Sequence, residues 1–305
     1  MRGPPPIAEL RLRARELSPG GSLSESARVL LCLRAREVEA ALPAALSTTR
    51  PGPLHDARVA GRRLRAGITL FQRLYPGRWH ATVEVGRAVT QGLREARDLD
   101  IRRARLGRLA RRLGGSSGVC RRLFSRLVEE AGADRRSQVA RSDLAAAAHP
   151  AGGMGPFIAS LWRPSRVRTA DAERFSSVWL HSLALITLNT MPMASVESHG
   201  GVQHRLRIRG KALRYSLEMM QWRLGEEARW RIEVLRGAQD VLGELHDLDV
   251  FLEHVRGESA GCDADERGCL RDALELLEQE RRRFFGRFLD LRAGLEKACE
   301  PVRFP

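Results

Sequence analysis

The sequence predicts an all-α protein made of two tandem four-helix repeats, and three observations carry that prediction. Strand signals are scarce, with two tyrosines, few β-branched runs and no alternating segments. Apolar residues recur at three- and four-residue spacing along nearly the whole chain. The chain also matches itself when shifted by 149 residues. Between 52 and 100, fifteen positions are identical to their partners, where unrelated sequence gives roughly three.

The helices follow in order. Ser24 caps a first helix near 25–46, which ends at "TTRPGP". A second runs over 53–74 and stops near "YPG", a third over 79–113 to "GGSSG", and a fourth over 118–147 to "HPAGGMG". Residues 1–22 are expected to form a disordered arm. Residues 150–170, with glycines and prolines, are expected to be a linker between repeats at 23–149 and 171–297. The second set of helices is expected near 171–191, 201–223, 226–256 and 264–297, followed by a short tail at 298–305.

The repeated residues fall in two blocks. Gly52, His55, Arg58, Gly61, Leu64 and Arg65 recur as Gly201, His204, Arg207, Gly210, Leu213 and Arg214. Gln72, Glu84, Val85 and Arg87 recur as Gln221, Glu233, Val234 and Arg236. "LREARDLD" recurs as "LGELHDLD", keeping Asp98, Asp100, Asp247 and Asp249. At ~100° per residue, His55, Arg58, Arg62 and Arg65 share an arc of roughly 80°, as do His204, Arg207, Lys211 and Arg214. Leu64, Ile68 and Phe71 supply the opposite, core face. Glycine in mid-helix costs about 1 kcal/mol relative to alanine, so Gly61 and Gly210 are expected where another helix packs closely.

A solvated helix face demands only polarity and has no reason to keep histidine and arginine at the same offsets twice. Two related helices facing across a pseudo-twofold axis would bring both stripes to one cleft or pore. Like charges converge there unfavourably unless an anion fills the space. Arginine forks suit phosphate oxygens, lysine adds a point charge, and a stripe of cations matches a chain of phosphates. The DLD aspartates, two apart, lie on different sides of their helix and suit pairing with arginines better than a shared metal.

Composition bounds the alternatives. A net charge of +15 draws polyanions: nucleic acid, phosphate polymers or anionic membranes. All but two of the 52 basic residues are arginine, the exceptions being Lys211 and Lys297, and genomic base composition accounts for most of that ratio. The N-terminus has no signal-peptide core, and the apolar run at 178–193 is too short to span a bilayer, so a cytoplasmic protein with no membrane partner is expected. Five scattered cysteines without a CxxC pair argue against a disulfide framework and for a reducing compartment.

A metal-dependent phosphohydrolase is suggested by the doublets His55–Asp56 and His246–Asp247. The shift pairs Asp56 with Arg205 and His246 with Arg97, so neither doublet is kept. His55, His204 and the DLD aspartates remain as ligands for that alternative. Sequence-independent nucleic-acid binding is disfavoured, with no helix-turn-helix signature and only 5% aromatic residues to stack bases.

The pattern "LHDARVAGRRLRAGITLF" then "LREARDLDI", followed by "QHRLRIRGKALRYSLEM" then "LGELHDLDV", resembles the CHAD domain, the conserved histidine α-helical domain, over about 23–297. The resemblance implies two four-helix repeats around a basic cavity or pore that binds inorganic polyphosphate without catalysis or cofactor. It implies association with polyphosphate-metabolising enzymes or polyphosphate granules. It places the binding residues at His55, Arg58, Arg62, Arg63, Arg65, His204, Arg207, Lys211 and Arg214, with Arg34, Arg36, Asp98, Asp100, Asp247 and Asp249 in support. Ala212 stands where the first half has Arg63, so the second stripe is thinner by one charge.

Overall fold

The computed structural model describes residues 5–47, 51–75, 94–115, 117–141, 154–162 and 169–301, with the side chains of 46, 51, 94–97 and 135–141 outside the description. The described residues are helical, with no strand among them. In chain order the helices are α1 (Ile7–Arg15), α2 (Leu23–Ser47), α3 (Pro51–Phe71), α4 (Arg94–Leu113), α5 (Gly118–Arg141) and α6 (Gly155–Leu161). Next come α7 (Thr169–Leu188), α8 (Met191–Ala194), α9 (Gly200–Leu224), α10 (Glu226–Gly257) and α11 (Ala264–Ala298). The expected helices agree with these to within a few residues wherever they fall on described residues. Residues 79–93 of the third and 142–147 of the fourth lie outside them.

Two segments depart from expectation. The arm expected to be disordered contains α1, whose Leu10 is fully buried against α2. Ile7, Leu10 and Ala14 form an apolar stripe at helical spacing, and the four-residue ion pair Glu9–Arg13 supports its exposed side. The expected linker contains α6, which buries Phe157, Ile158 and Leu161. Proline near the first turn of α6 costs nothing, because that N–H has no intrahelical partner.

Helix ends follow their local chemistry. Asp263 accepts the backbone N–H of Glu266 at 2.8 Å, and Glu266 reaches back to the N–H of Asp263, a capping box that starts α11. Gly225 turns α9 into α10 at φ +57°, a conformation that disfavours any residue with a Cβ. Arg121 donates from Nε and Nη2 to the Gly114 carbonyl at 3.0 and 2.6 Å, placing a cation on the carbonyl end of α4.

The apolar packing does not divide at the middle of the chain. One core joins α1, α2 and α3 to α6, α7, α9, the first half of α10 and the end of α11. The other joins α4 and α5 to Leu248–Val255 of α10 and Cys269–Leu277 of α11. Each core therefore takes elements from both sequence halves, and α10 and α11 run through both. The basic helices approach closely at Gly67: a Cβ there would lie 2.7 Å from Met219 Cε on α9 and 3.1 Å from Leu31 on α2. Gly210, expected at such a contact, has only ordinary approaches of 3.6 Å or more around a notional Cβ.

Buried polar groups lock the helices together. Arg231 is 4% exposed and donates to Glu227, the Ala298 carbonyl and the Glu300 carbonyl, tying α10 to the end of α11. A disulfide joins Cys120 on α5 to Cys269 on α11, while Cys32, Cys262 and Cys299 are free and buried. This corrects the reading of the cysteines: one pair is bonded, and the inference of a reducing compartment loses its basis. No helix among the described residues is long and apolar enough to cross a membrane.

Candidate anion-binding site

The two basic helices predicted from the repeat, α3 and α9, pack against each other. Leu54, Ala57, Leu64, Ile68 and Phe71 turn the apolar side of α3 into the core, and Leu206, Leu213 and Leu217 do the same for α9. With those faces fixed, the stripes take the remaining surfaces.

Arg62 of α3 stands close enough to Arg207 and Lys211 of α9 to disfavour the charge on both. Burial is the larger cause and lowers both groups, taking Lys211 to about 7. Neither Arg62 nor Lys211 forms a hydrogen bond or ion pair with a described residue, and Arg207 Nε is buried without an acceptor. Among the described residues the carboxylate that acts most on Arg207 and Lys211 is Asp247 on α10, whose burial raises its own pKa while Arg207 and then Arg105 pull it back. Asp98 also faces Arg207 and Asp247. Among the described residues, three basic side chains from two helices therefore meet, with Asp247 and Asp98 as the carboxylates that act on them.

The other predicted residues divide by role. Arg63 and Arg214 are tied down: Arg63 Nε donates to Glu218 Oε2 at 3.1 Å and Arg214 Nη1 to Glu218 Oε1 at 2.5 Å. Arg214 Nε also donates to Gln239 Oε1 at 2.8 Å, and its guanidinium lies 4.4 Å above the Tyr215 ring. One carboxylate thus links the two stripes. Arg34 and Arg36 pair with Glu37 and Glu39 on their own helix, each at 2.7 Å. Arg34, Arg63, Glu218 and Arg236 also line a cavity of about 270 Å³ between α2, α3, α9 and α10. Arg58 and Arg65 are partly buried on α3, and His55 is exposed near its start.

The aspartates of the second DLD go different ways, as residues two apart on a helix must. Asp247 faces the cations, while Asp249 accepts Arg281 Nε at 2.5 Å. Arg281 also donates to the Glu197 carbonyl and Gln203, clamping α11 to the start of α9. Gly200 permits this clamp, since a Cβ there would lie 2.8 Å from Asp249 Oδ2. Asp100 is partly buried on α4. The repeated Glu233 and Arg236 form an ion pair within α10.

His246 is the residue the repeat argument discounted. Its ring centroid lies 3.8 Å from that of His204, beside the Asp247 carboxylate in sequence. Its echo is Arg97, so identity between the halves hides it. The "HD" doublet carried the signal. Among the described residues, no group of three or more His, Cys, Asp or Glu is arranged to hold a metal ion.

Comparison with known proteins agrees with this fold. The CHAD domain profile matches residues 30–256. The structure of the CHAD domain from the plant Ricinus communis superposes with a TM-score of 0.61 at 23% identity, covering 95% of each chain. PptA from Streptomyces chartreusis superposes with a TM-score of 0.63 at 15% identity, covering 91% of this chain and 99% of its own. No curated protein sequence matches the chain. With the profile spanning most of its length and both structural relatives sharing its helical fold, the chain belongs to the CHAD domain family.

Proposed function

We propose that the chain binds inorganic polyphosphate without catalysis, along the basic surface that α3 and α9 bring together. The observation that carries this reading is the meeting of Arg62 with Arg207 and Lys211, three basic groups opposed among the described residues mainly by Asp247, with Lys211 held near neutrality. Such an arrangement is stabilised by a multivalent anion. In this reading the two halves are repeats related by a pseudo-twofold axis, the stripes line a central pore, and His55, Arg58 and Arg65 extend it. His204 and His246 add donors at one wall. Arg63 and Arg214 hold the helices in register through Glu218 and contribute less to the ligand. Asp247 offsets part of the positive charge of Arg207 and Lys211. A phosphate chain displaces counterions along its length, so binding should strengthen with chain length and weaken with salt. A protein binding in this way would collect on polyphosphate granules.

The test is a titration of long-chain polyphosphate against RNA at physiological ionic strength, with and without chelator, alongside a phosphate-release assay. The reading expects chelator-independent binding of polyphosphate in preference to RNA, with no phosphate released. Equal competition by RNA would sink it in favour of a general polyanion binder. Metal-dependent phosphate release would replace it with a hydrolase that uses the histidines and Asp247.

A further inference from the structure

A second basic cavity lies away from the repeated stripes, between α4 and α11. Its volume is about 460 Å³. Arg105, Arg108 and Arg112 line one wall at helical spacing, over about 10 Å at 1.5 Å per residue. Glu280, Arg283 and Arg287 line the facing wall of α11. Five guanidinium groups thus border one carboxylate. Leu109 and Leu277 are buried at the cavity, and Phe284 carries Arg287 over its ring at 5.3 Å.

Arg105 shows that this wall is more than a solvated charge run. It is 3% exposed, yet its Nε and Nη1 are buried without a hydrogen-bond partner. Only Nη2 is well satisfied, donating to Glu244 at 2.8 Å, and Glu280 stays 4.0 Å from Nη1. A buried guanidinium with open donors costs stability unless something accepts from it. Arg108, Arg112 and Arg283 are exposed and form no ion pair with a described residue. Arg105 also acts on Asp247, the aspartate facing Arg207.

The cavity owes nothing to the duplication. The 149-residue shift takes Arg105, Arg108 and Arg112 to His254, Gly257 and Gly261. It takes Arg283 and Arg287 back to Asp134 and Gln138. No arginine is kept at these positions.

We propose that the cavity between α4 and α11 is a separate site for a short run of phosphate groups. Arg105, buried at the inner end of the cavity, donates to the innermost phosphate, and Arg108, Arg112, Arg283 and Arg287 close around the rest. Guanidinium forks match phosphate oxygens, and several separate forks call for a multiply charged ligand. That ligand is either the end of a chain bound along the stripes or an independent oligophosphate.

The experiment titrates tripolyphosphate, and separately long-chain polyphosphate, into three forms of the full chain: wild type, R108A/R112A/R283A and R62A/R207A/K211A. Helical content by circular dichroism checks folding, and the cavity substitutions are all at exposed positions. The proposal expects the cavity variant to lose about tenfold or more in tripolyphosphate affinity while the stripe variant keeps a tripolyphosphate site. A parallel loss of long-chain affinity in the cavity variant identifies the ligand as the chain's own end. Unchanged long-chain affinity identifies an independent oligophosphate. Tripolyphosphate binding that survives the cavity substitutions, or that disappears in the stripe variant, overturns the proposal. Failure of long-chain binding in the wild type would sink the function proposed above and leave the tripolyphosphate comparison readable.

Discussion

Cys120 and Cys269 are joined by a disulfide and stand 149 residues apart, the same offset at which the two halves of the sequence match. Their Cα atoms are 5.3 Å apart. If the halves are repeats about a pseudo-twofold axis, as proposed, equivalent positions can touch only beside that axis. The disulfide would then mark it, linking α5 to α11 in the second core. Closing so long a loop restricts the unfolded chain, so C120S/C269S should lose about 2–5 kcal/mol of stability in denaturant titrations. The same loss should follow reduction of the wild type, and reduction should leave the double variant unchanged.

Lys211 predicts a pH dependence with a definite sign. Its folded pKa of about 7 lies below its ordinary value of 10.5, mainly through burial. Between those values the unfolded chain holds a proton that the folded chain has released, so this residue's contribution makes stability rise with pH from about 7 toward 10.5. Below pH 7 both states are protonated and the full penalty of the buried charge is felt. K211M should therefore stabilise the empty protein by about 1–4 kcal/mol at pH 6 and flatten the slope above 7. Chemical denaturation at a series of pH values checks both.

Ligand binding should reverse that shift. A phosphate chain beside Lys211 favours its charged form, so at pH 8 binding should take up a proton. Calorimetry in buffers of different ionisation enthalpy measures the uptake, which should vanish in K211M.

Glu218 restrains Arg63 and Arg214 together. E218Q keeps the shape of the side chain and removes its charge. It should cost about 2 kcal/mol of stability by weakening two charge-assisted hydrogen bonds. At the same time it should raise polyphosphate affinity severalfold, because two guanidinium groups become available. A variant that loses stability and affinity together would show that register matters more than charge.

Gly67 sets the approach of α3 to α9. G67A places a methyl group against Leu31 and the flexible end of Met219, a crowding that should cancel the ~1 kcal/mol alanine otherwise gains in mid-helix. In an M219A background, G67A should recover part of that gain. Thermal melts of the single and double variants test this.

The all-α fold and the basic surfaces of α3 and α9 were legible because both rest on spacing. Leu64, Ile68 and Phe71 repeat at helical intervals, and so do Arg58, Arg62 and Arg65. The self-match at a shift of 149 residues then separated kept charge from incidental charge, bringing Arg62 into line with Lys211. Pairing was beyond its reach. Glu218 stands four residues after Arg214 on α9, but nothing in the sequence brings Arg63 to it, since that contact depends on how two distant helices are rotated. His246 and Arg105 were hidden because the comparison of halves favours what is shared, and neither is. Leu10 lay within an arginine-rich segment whose charge masked a short apolar stripe. The disulfide had a signal, because the repeat offset maps Cys120 onto Cys269, but counting cysteines by parity obscured it.

The central claim is most directly tested by the affinity of R62A/R207A/K211A for long-chain polyphosphate at physiological ionic strength, measured beside the wild type with helical content confirmed. The account predicts a loss of about a hundredfold or more, with a smaller dependence on salt, because three phosphate contacts disappear together. Unchanged affinity and an unchanged salt slope would contradict it.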